Sequence, residues 1–213
     1  HELRTPVANL IGQTQVALAR ERGAPALREV LQSNLEELER LRGIVADMLF
    51  LARAEQGERA RSRVRVALAD EVRKLVDFFD MVLDESGMAV QVEGDAPAWV
   101  EVSLARRAIG NLLQNAIQHA SGGAGIEVRI TQPEPGWAEL AVTNASPPLT
   151  DEQLAHVFDR FYRVDHSRAN SGESHGLGLA IVQAIARMHG GAAFVRQAPG
   201  RISFGLRLPA QQD

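Results

Sequence analysis

Apolar residues recur in alternating steps of four and three from Leu27 onward, which is the spacing of a helix that packs along one seam. The seam positions are Leu27, Leu31, Asn34, Leu38, Leu41, Val45, Met48 and Ala52. Val30, Ile44 and Leu51 flank the seam and widen it to the broad apolar face of a helix bundle. Asn34, the polar seam position, either fixes the register of the bundle or is a tolerated polar residue near one end.

A shorter helix with similar apolar spacing is predicted over residues 3–18, and Gly23-Ala24-Pro25 separates the two helices. Residues 1–58 are therefore expected to form a helical hairpin. Two helices of this length bury too little apolar surface on each other. Both carry apolar stripes that are too broad for a single neighbour to cover. We expect a homodimer in which two hairpins form an antiparallel four-helix bundle.

The helical pattern ends in a polar run, and a linker is expected at residues 59–63. Beyond it, short strand and helix patterns follow one another. Strands are expected at residues 64–68, 88–92, 99–102, 126–131, 137–143, 192–197 and 202–208. Helices are expected at residues 70–83, 103–119, 151–158 and 177–188. Ser103 is the expected cap of the second of these helices. This order lacks a regular strand–helix–strand rhythm, so it predicts an α+β fold in which residues 64–213 form a sandwich, with helices on one face of a mixed sheet.

Composition excludes several classes of function. The 213-residue chain is 45% hydrophobic and 23% charged, which suits a soluble protein with a proper core. Its net charge of -4 provides no overall basic field, so no nucleic-acid partner is expected. Cysteine is absent, which excludes disulfides and thiolate metal sites. No apolar run reaches the roughly 18 residues that a membrane span needs.

The first residues, His1-Glu2-Leu3-Arg4-Thr5-Pro6, fit phosphoryl-group chemistry. On a helix, His1 and Thr5 would share one face, with Glu2 beside the imidazole. A neutral imidazole nitrogen can attack phosphorus, an adjacent carboxylate can hold the tautomer and take the proton, and a hydroxyl can orient water for the reverse hydrolysis. An ordinary helix start with an acidic first turn explains the same residues, and the hexapeptide alone does not decide between the two.

Two further motifs suit a nucleotide and its metal ion. Asn111 and Asn115 lie four residues apart on one face of a predicted helix, where their amide oxygens can help to hold Mg2+ beside phosphates. Two solvated asparagines are the alternative. Gly176-Leu177-Gly178 begins an apolar helix, and glycines at that position let a phosphate approach backbone N–H groups.

The segment of roughly 30 residues before these glycines is too long for a passive connection and is expected to be a mobile lid. Within it, Phe158-Asp159-Arg160-Phe161-Tyr162-Arg163 supplies aromatic anchors and two arginines. Arg160 or Arg163 can reach a terminal phosphate while the aromatic rings hold the lid to the core. Packing and surface charge alone are the alternative explanation.

Together these motifs resemble those of sensor histidine kinases. The opening hexapeptide resembles the H box of that family, residues 111–116 its N box, residues 158–163 its F box and residues 176–182 its second glycine box, in matching order and spacing. The resemblance implies a dimerisation and histidine-phosphotransfer hairpin. It also implies an ATP-binding domain of the Bergerat (GHKL) type, which gyrase and heat-shock chaperones share.

The first glycine box of the family is altered in this chain. Where the family has Asp-x-Gly-x-Gly, the aligned stretch is Asn144-Ala145-Ser146-Pro147-Pro148. In the family the aspartate accepts a hydrogen bond from the adenine amino group. Asn144 can accept one without a charge, so we expect ATP binding about tenfold weaker. Pro148 fixes its backbone where a glycine would be free, so a stiffer first hinge of the lid is expected.

The resemblance implies an enzyme that transfers the γ-phosphoryl group of Mg-ATP to His1 and then to an aspartate of a separate response regulator. Glu2 would orient His1 and accept its proton, and Thr5 would orient water to dephosphorylate the regulator. The expected nucleotide-site residues are Asn111, Asn115, Asn144, Arg160, Arg163, Gly176, Leu177 and Gly178. Asn115 and Asn111 are the expected Mg2+ ligands.

Two other functions remain open from the sequence. The altered glycine box is compatible with a nucleotide-binding scaffold or a phosphatase-dominant regulator that autophosphorylates weakly. A purely structural helical dimer leaves the N box, the lid and the glycines unexplained.

The resemblance also implies a location and a docking surface. The cognate response regulator should be recognised by residues 7–20 and the facing part of the second helix. A cytoplasmic catalytic core is expected, in a full-length protein that is anchored in the inner membrane upstream of His1. As a chain terminus His1 would lie in a fraying first turn. We therefore expect a fragment of a longer sensor, folded in its ATP-binding domain but impaired at His1.

Overall fold

The computed structural model describes residues 3–19, 23–120, 125–164 and 175–212. The chain divides between Ala52 and Arg53 into two compact units. The first unit is helical and the second contains all the strands among the described residues. No helix in these described ranges combines the length and the apolarity that crossing a bilayer requires.

The first unit contains two helices, α1 (Arg4–Leu18) and α2 (Ala24–Glu55), and α2 runs a few residues into the second unit. This confirms the predicted N-terminal helical pair. Asn34 Nδ2 donates a hydrogen bond to Thr14 Oγ1 at 3.2 Å, so the polar seam position joins the two helices. That contact lies within one chain, so it leaves open whether Asn34 fixes the register of a bundle.

The second unit carries seven strands and five helices among the described residues. Its strands are β1 (Val64–Ala67), β2 (Val90–Glu93), β3 (Pro97–Val100), β4 (Ile126–Glu134), β5 (Trp137–Ala145), β6 (Ala192–Ala198) and β7 (Arg201–Pro209). Its helices are α3 (Leu68–Phe78), α4 (Asp80–Ser86), α5 (Val102–His119), α6 (Asp151–His156) and α7 (Gly178–Met188).

Five of the strands form one mixed sheet in the order β2-β4-β5-β7-β6, and β1 pairs with β3 separately. Strand β2 is parallel to β4, and the other neighbouring pairs in the large sheet are antiparallel. Because side chains alternate along a strand, one face of β5 is apolar and fully buried, with Leu140 and Val142 at its centre. The opposite face carries polar pairs such as Thr143 and Ser203, whose hydroxyls lie 2.7 Å apart.

Helices α5 and α7 pack against each other and cover the apolar face of the sheet. Leu112 of α5 and Ile181 of α7 are each 1% exposed in this layer. Helix α3 joins the layer beside α5 and β2. The predicted α+β sandwich, with helices on one face of a mixed sheet, is confirmed.

The predicted single helix over residues 70–83 is wrong at both its start and its middle. It begins earlier because Asp95 Oδ1 accepts a hydrogen bond from the Ala69 N–H at 3.0 Å, which caps the first turn of α3 from a distant part of the chain. It breaks at Phe79, whose N–H bonds to both Leu75 O and Val76 O in a tightened last turn. Helix α4 then starts at Asp80.

The predicted cap of α5 is also wrong. The residue at the N-cap is Glu101, and Ser103 lies inside the first turn. The carbonyl of Glu101 already accepts the first helical hydrogen bond, from Ala105 N at 2.9 Å. The Ser103 hydroxyl does not cap the helix and donates to the Glu101 carboxylate at 3.3 Å.

Candidate nucleotide-binding site

The asparagine helix and the glycine helix meet at the start of α7. A Cβ atom placed on Gly178 would lie 3.6 Å from Asn111 Oδ1, within ordinary contact distance. Two motifs that are 67 positions apart in the sequence are thus neighbours in space. The free N–H groups in the first turn of α7 lie at the same place, and the helix dipole favours an anion there.

The side chain of Asn111 has a buried polar atom that a ligand could satisfy. Its Nδ2 atom is buried and has no hydrogen-bond partner among the described residues. A buried unpaired amide group is costly unless a ligand satisfies it. An asparagine amide can present nitrogen to a phosphate oxygen or, turned by 180°, oxygen to a metal ion. The residue therefore fits a phosphate-bound Mg2+.

Asn115 lies one turn further along α5 and is half buried. A group of three or more His, Asp or Glu side chains that could hold a metal is absent from the described part of the chain. The donors available to Mg2+ here are therefore amide oxygens, together with phosphate oxygens and water, which is a ligand set that Mg2+ accepts.

The predicted adenine residue, Asn144, lies near the end of β5 and is 1% exposed. It lies on the same face of β5 as Leu140 and Val142, the face that the helices cover. Its Nδ2 atom donates to the Ala145 carbonyl at 3.0 Å.

The altered glycine box that follows Asn144 is fastened to the neighbouring strands. Ser146 N donates to Gly200 O at 3.1 Å. The amide of Gln197, in β6, bonds both backbone groups of Leu149: its Oε1 accepts from Leu149 N at 2.7 Å and its Nε2 donates to Leu149 O at 3.2 Å. The segment with two prolines is therefore held at both ends by β6 and the β6–β7 turn.

The F box and the second glycine box also meet. Phe161 N donates to Gly176 O at 2.9 Å, and both residues hold a left-handed backbone, with φ of 62° and 66°. A Cβ on Gly176 would lie 2.8 Å from the Phe161 carbonyl carbon, so only glycine fits. Phe161 is the only non-glycine residue with positive φ in the described ranges, and such strain is typical of functional sites.

The arginines of the F box have different surroundings. Arg160 forms an ion pair with Glu55 at 2.5 Å, and both side chains are largely exposed. Arg163 is half buried. Phe158 packs edge to face on Phe204 of β7, with ring centroids 6.3 Å apart, so an aromatic anchor holds this segment to the sheet.

The phosphotransfer motif is described only in part. His1 and Glu2, the expected nucleophile and its partner, lie outside the described residues. Thr5 is exposed in the first turn of α1, and Pro6 beside it is buried.

The sequence reasoning missed His189, which is 0% exposed at the end of α7. Its Nε2 accepts a hydrogen bond from the Glu101 N–H at 3.0 Å, so Nδ1 carries the proton and donates to Ile185 O at 2.8 Å. Burial lowers the pKa of His189 below its ordinary value of 6.5. A histidine directly before Gly190-Gly191, at the end of an apolar helix, is the signal that could have identified it.

Comparison with known families matches both units. Residues 1–57 match the His Kinase A (phospho-acceptor) domain. Residues 100–212 match the family described as Histidine kinase-, DNA gyrase B-, and HSP90-like ATPase.

Named relatives are similar along nearly the whole chain. Sensor histidine kinase CusS of Escherichia coli K12 is 41% identical over 211 residues, which are 99% of this chain and 44% of that protein. Sensor protein CzcS of Cupriavidus metallidurans is 39% identical over 210 residues, which are 98% of this chain and 44% of that protein. The chain thus spans less than half the length of these curated relatives.

Solved structures share the fold. Histidine kinase AdeS of Acinetobacter baumannii has a TM-score of 0.80 at 20% identity, covering 100% of this chain and 98% of that one. Histidine kinase ThkA, solved in complex with response regulator protein TrrA, has a TM-score of 0.76 at 20% identity, covering 99% of this chain and 59% of that one. With both domains matched in order, the chain belongs to the histidine kinase-, DNA gyrase B- and HSP90-like ATPase family, and within it to the two-component sensor histidine kinases.

Proposed function

We propose that the chain is a kinase core that moves the γ-phosphoryl group of Mg-ATP to His1 and then to an aspartate of a response regulator. One observation carries this proposal: Asn111, whose buried amide nitrogen has no hydrogen-bond partner among the described residues, has its amide oxygen beside Gly178 at the N-terminus of α7. Such a place suits the phosphates of a nucleotide and a bound Mg2+.

Each part of the nucleotide would then have its own residues. Backbone N–H groups at Gly176, Leu177 and Gly178 would hold phosphate oxygens, and Asn144 would accept a hydrogen bond from the adenine amino group. Asn111 and Asn115 would hold Mg2+, which, when bound, neutralises phosphate charge.

The arginines of the F box would stabilise the charge on the transferred group. Arg163 would supply one of the stabilising positive charges. Arg160 would supply the other, and it would exchange its exposed ion pair with Glu55 for an ion pair with the terminal phosphate. Such an exchange costs little, because exposed ion pairs contribute about 0–1 kcal/mol.

In the transfer step, a ring nitrogen of His1 attacks the γ-phosphorus as the bond to the bridging oxygen of ADP breaks. Glu2 orients the imidazole and accepts the proton from its other nitrogen. Phosphohistidine then passes the phosphoryl group to an aspartate oxygen of the regulator as its N–P bond breaks, and Glu2 returns the proton, which restores neutral His1. ATP and response regulators are cytoplasmic, so the reaction belongs on the cytoplasmic side of the inner membrane to which a full-length sensor would be anchored.

We also propose that the chain acts as a homodimer through its hairpin. Large apolar side chains of the first unit are exposed in the single chain, among them Ile11 (53%), Leu31 (68%), Leu38 (53%) and Val45 (44%). Leu31, Leu38 and Val45 belong to the predicted seam. A second hairpin of the same chemistry would cover this surface in a four-helix bundle.

Incubation with γ-labelled Mg-ATP tests the kinase proposal. We expect acid-labile label on the chain, as phosphohistidine is acid-labile, and no label on His1→Ala. Gln132→Ala, a change at an exposed residue of β4 outside the proposed machinery, should retain the label. Label that persists in His1→Ala, or no label on a chain extended upstream of His1, would exclude the assignment of His1.

The reverse activity has its own test. Thr5 is exposed and follows His1 by four residues in the sequence, and it could orient a water molecule toward a phosphorylated aspartate. Thr5→Ala should slow dephosphorylation of the regulator by about 100-fold or more while His1 phosphorylation is retained. Equal loss of both activities would instead indicate a damaged hairpin.

A further inference from the structure

The two helices that carry the candidate nucleotide site are joined to each other at the end that lies away from it. At the C-terminus of α7, His189 Nε2 accepts a hydrogen bond from the backbone N–H of Glu101, the N-cap of α5, at 3.0 Å. His189 Nδ1 donates to Ile185 O at 2.8 Å, within α7. Because the imidazole is 0% exposed, water does not replace either partner.

This joint and the nucleotide site lie at opposite ends of α7. Glu101 precedes Asn111 by about ten residues, and Gly178 precedes His189 by about eleven, so each span is about 15–17 Å of helix. Glu101 meets His189 at one end, and Asn111 meets Gly178 at the other. The helices are therefore antiparallel. Helix α5 continues past Asn111 to His119, but the two spans between these contacts match in length, so a contact that fixes the register at one end of the spans fixes it at the other.

The linker that follows α2 is attached to the same joint. Ala60 N donates to Met188 O at 3.0 Å, and an Arg63 guanidinium nitrogen donates to the same carbonyl at 3.1 Å. Arg61 N donates to a carboxylate oxygen of Glu101 at 3.1 Å. The linker is thus bonded to the end of α7 and to the start of α5.

We propose that Glu101 and His189 are positioning residues of the nucleotide site, which set the register of Asn111 against Gly178 and tie that register to linker residues 60–63. The inference rests on the proposed nucleotide site. Neither residue touches the nucleotide. They act through the helix pair, so a change at the linker would alter nucleotide affinity without a change in any group that binds the nucleotide.

The joint requires neutral His189. The charged groups that face its imidazole are Arg63 from the linker and Glu101 from the start of α5, with opposite effects on its protonation. A proton added at Nε2 turns that atom from acceptor to donor, opposite the Glu101 N–H, and the hydrogen bond is lost. Burial keeps the pKa of His189 low, so the joint is intact at neutral pH and breaks in acid.

Calorimetric titration of the whole chain with Mg-ATP between pH 7.5 and 5.0 tests the inference. His189→Gln keeps an acceptor the same number of bonds from Cβ as Nε2 but cannot titrate, whereas His189→Leu removes the acceptor. At pH 7.5 we expect His189→Gln to bind within about twofold of the native chain, and His189→Leu to bind about 3- to 30-fold more weakly. Circular dichroism establishes that each variant is folded at each pH.

The ratio of the native to the His189→Gln dissociation constant separates positioning from a general effect of acid, because nucleotide protonation affects both chains alike. This ratio should rise as the pH falls. NMR shifts of the His189 imidazole give the pH range in which it titrates, and a ratio that stays constant through that range overturns the inference, even where His189→Leu does not fold. Unchanged affinity in folded His189→Leu overturns it as well. A native chain that binds no Mg-ATP at pH 7.5 instead refutes the proposed nucleotide site itself.

Discussion

Gly176 and Gly136 both hold a left-handed backbone, with φ of 66° and 84°, but their surroundings differ. A Cβ on Gly136 would meet nothing within 4 Å, whereas one on Gly176 would lie 2.8 Å from the Phe161 backbone. Gly136→Ala should therefore cost only the left-handed conformation, about 1–2 kcal/mol. Gly176→Ala should cost more and also weaken Mg-ATP binding, because the F box must move away.

Urea unfolding and Mg-ATP titration of the two variants measure this difference. Equal losses of stability would mean that the contact between Gly176 and Phe161 does not constrain the site.

Glu71 gives a second prediction for a single residue. Its side chain is 6% exposed and accepts from Arg106 Nε at 2.5 Å and Lys74 Nζ at 2.7 Å. The Arg106 hydrogen bond lowers the pKa of Glu71 below 4.5, against an opposing effect of burial. Folding then favours the carboxylate, so the stabilisation is present above about pH 4.5 and is lost as the pH falls through the folded pKa.

Glu71→Gln should lower the urea midpoint at pH 7 and reduce its change between pH 5 and 3. Asp70→Asn is the matched control, because Asp70 pairs with Arg73 at 3.1 Å with both side chains exposed. That control should change the midpoint little. An equal effect of both variants would contradict a specific role for the α3–α5 ion pair.

Residue types and short spacings revealed Asn111 and Gly178, since helical period and glycine chemistry are local properties. They did not reveal that Asp95 caps α3, or that His189 holds Glu101. These hydrogen bonds join residues that are 26 and 88 positions apart. Such partners are selected by tertiary packing, which single-sequence patterns do not encode.

Among the elements, the segment after β5 is held by one side chain. Gln197 forms two hydrogen bonds with the backbone of Leu149. Gln197→Ala should raise the hydrogen-exchange rate of the Leu149 amide about fivefold or more, because its acceptor is lost. Gln132→Ala, an exposed change in β4, is the control. Unchanged exchange would show that Gln197 does not hold this segment.

The strands were predictable where one face is buried and the other is not. Strands β4 and β5 alternate between buried and outward positions, so their period of two is visible in the sequence. The break at Phe79 was not visible, because residues 70–83 keep a helical pattern through it. The hydrogen bonds of Phe79, rather than a glycine or proline, end α3.

For the whole molecule, the apolar seam of α2 predicts self-association. Leu38 is 53% exposed in the single chain and would lie in the core of a four-helix bundle. Leu38→Glu would bury a charge there and should raise the dimer dissociation constant about 100-fold or more. Ser33→Glu places the same charge outside the seam and should leave it unchanged. Sedimentation equilibrium measures both, and a Leu38→Glu chain that dimerises normally would refute the proposed interface.

The fold class followed from the order of elements, because helices with broad stripes and irregularly spaced strands admit few arrangements. The strand order β2-β4-β5-β7-β6 did not follow. Its parallel pair, β2 with β4, joins strands separated by β3 and α5, and local patterns do not specify such a partner.

Strand β7 lies between β5 and β6, so the centre of the sheet is completed by residues 201–209. A ribosome that adds roughly 5–20 residues per second makes these about 7–30 s after it finishes α2. During that interval the emerging chain has its helical pair but no finished sheet beneath α5 and α7. In the proposed dimer, two nascent hairpins therefore have time to meet before either chain can hold ATP.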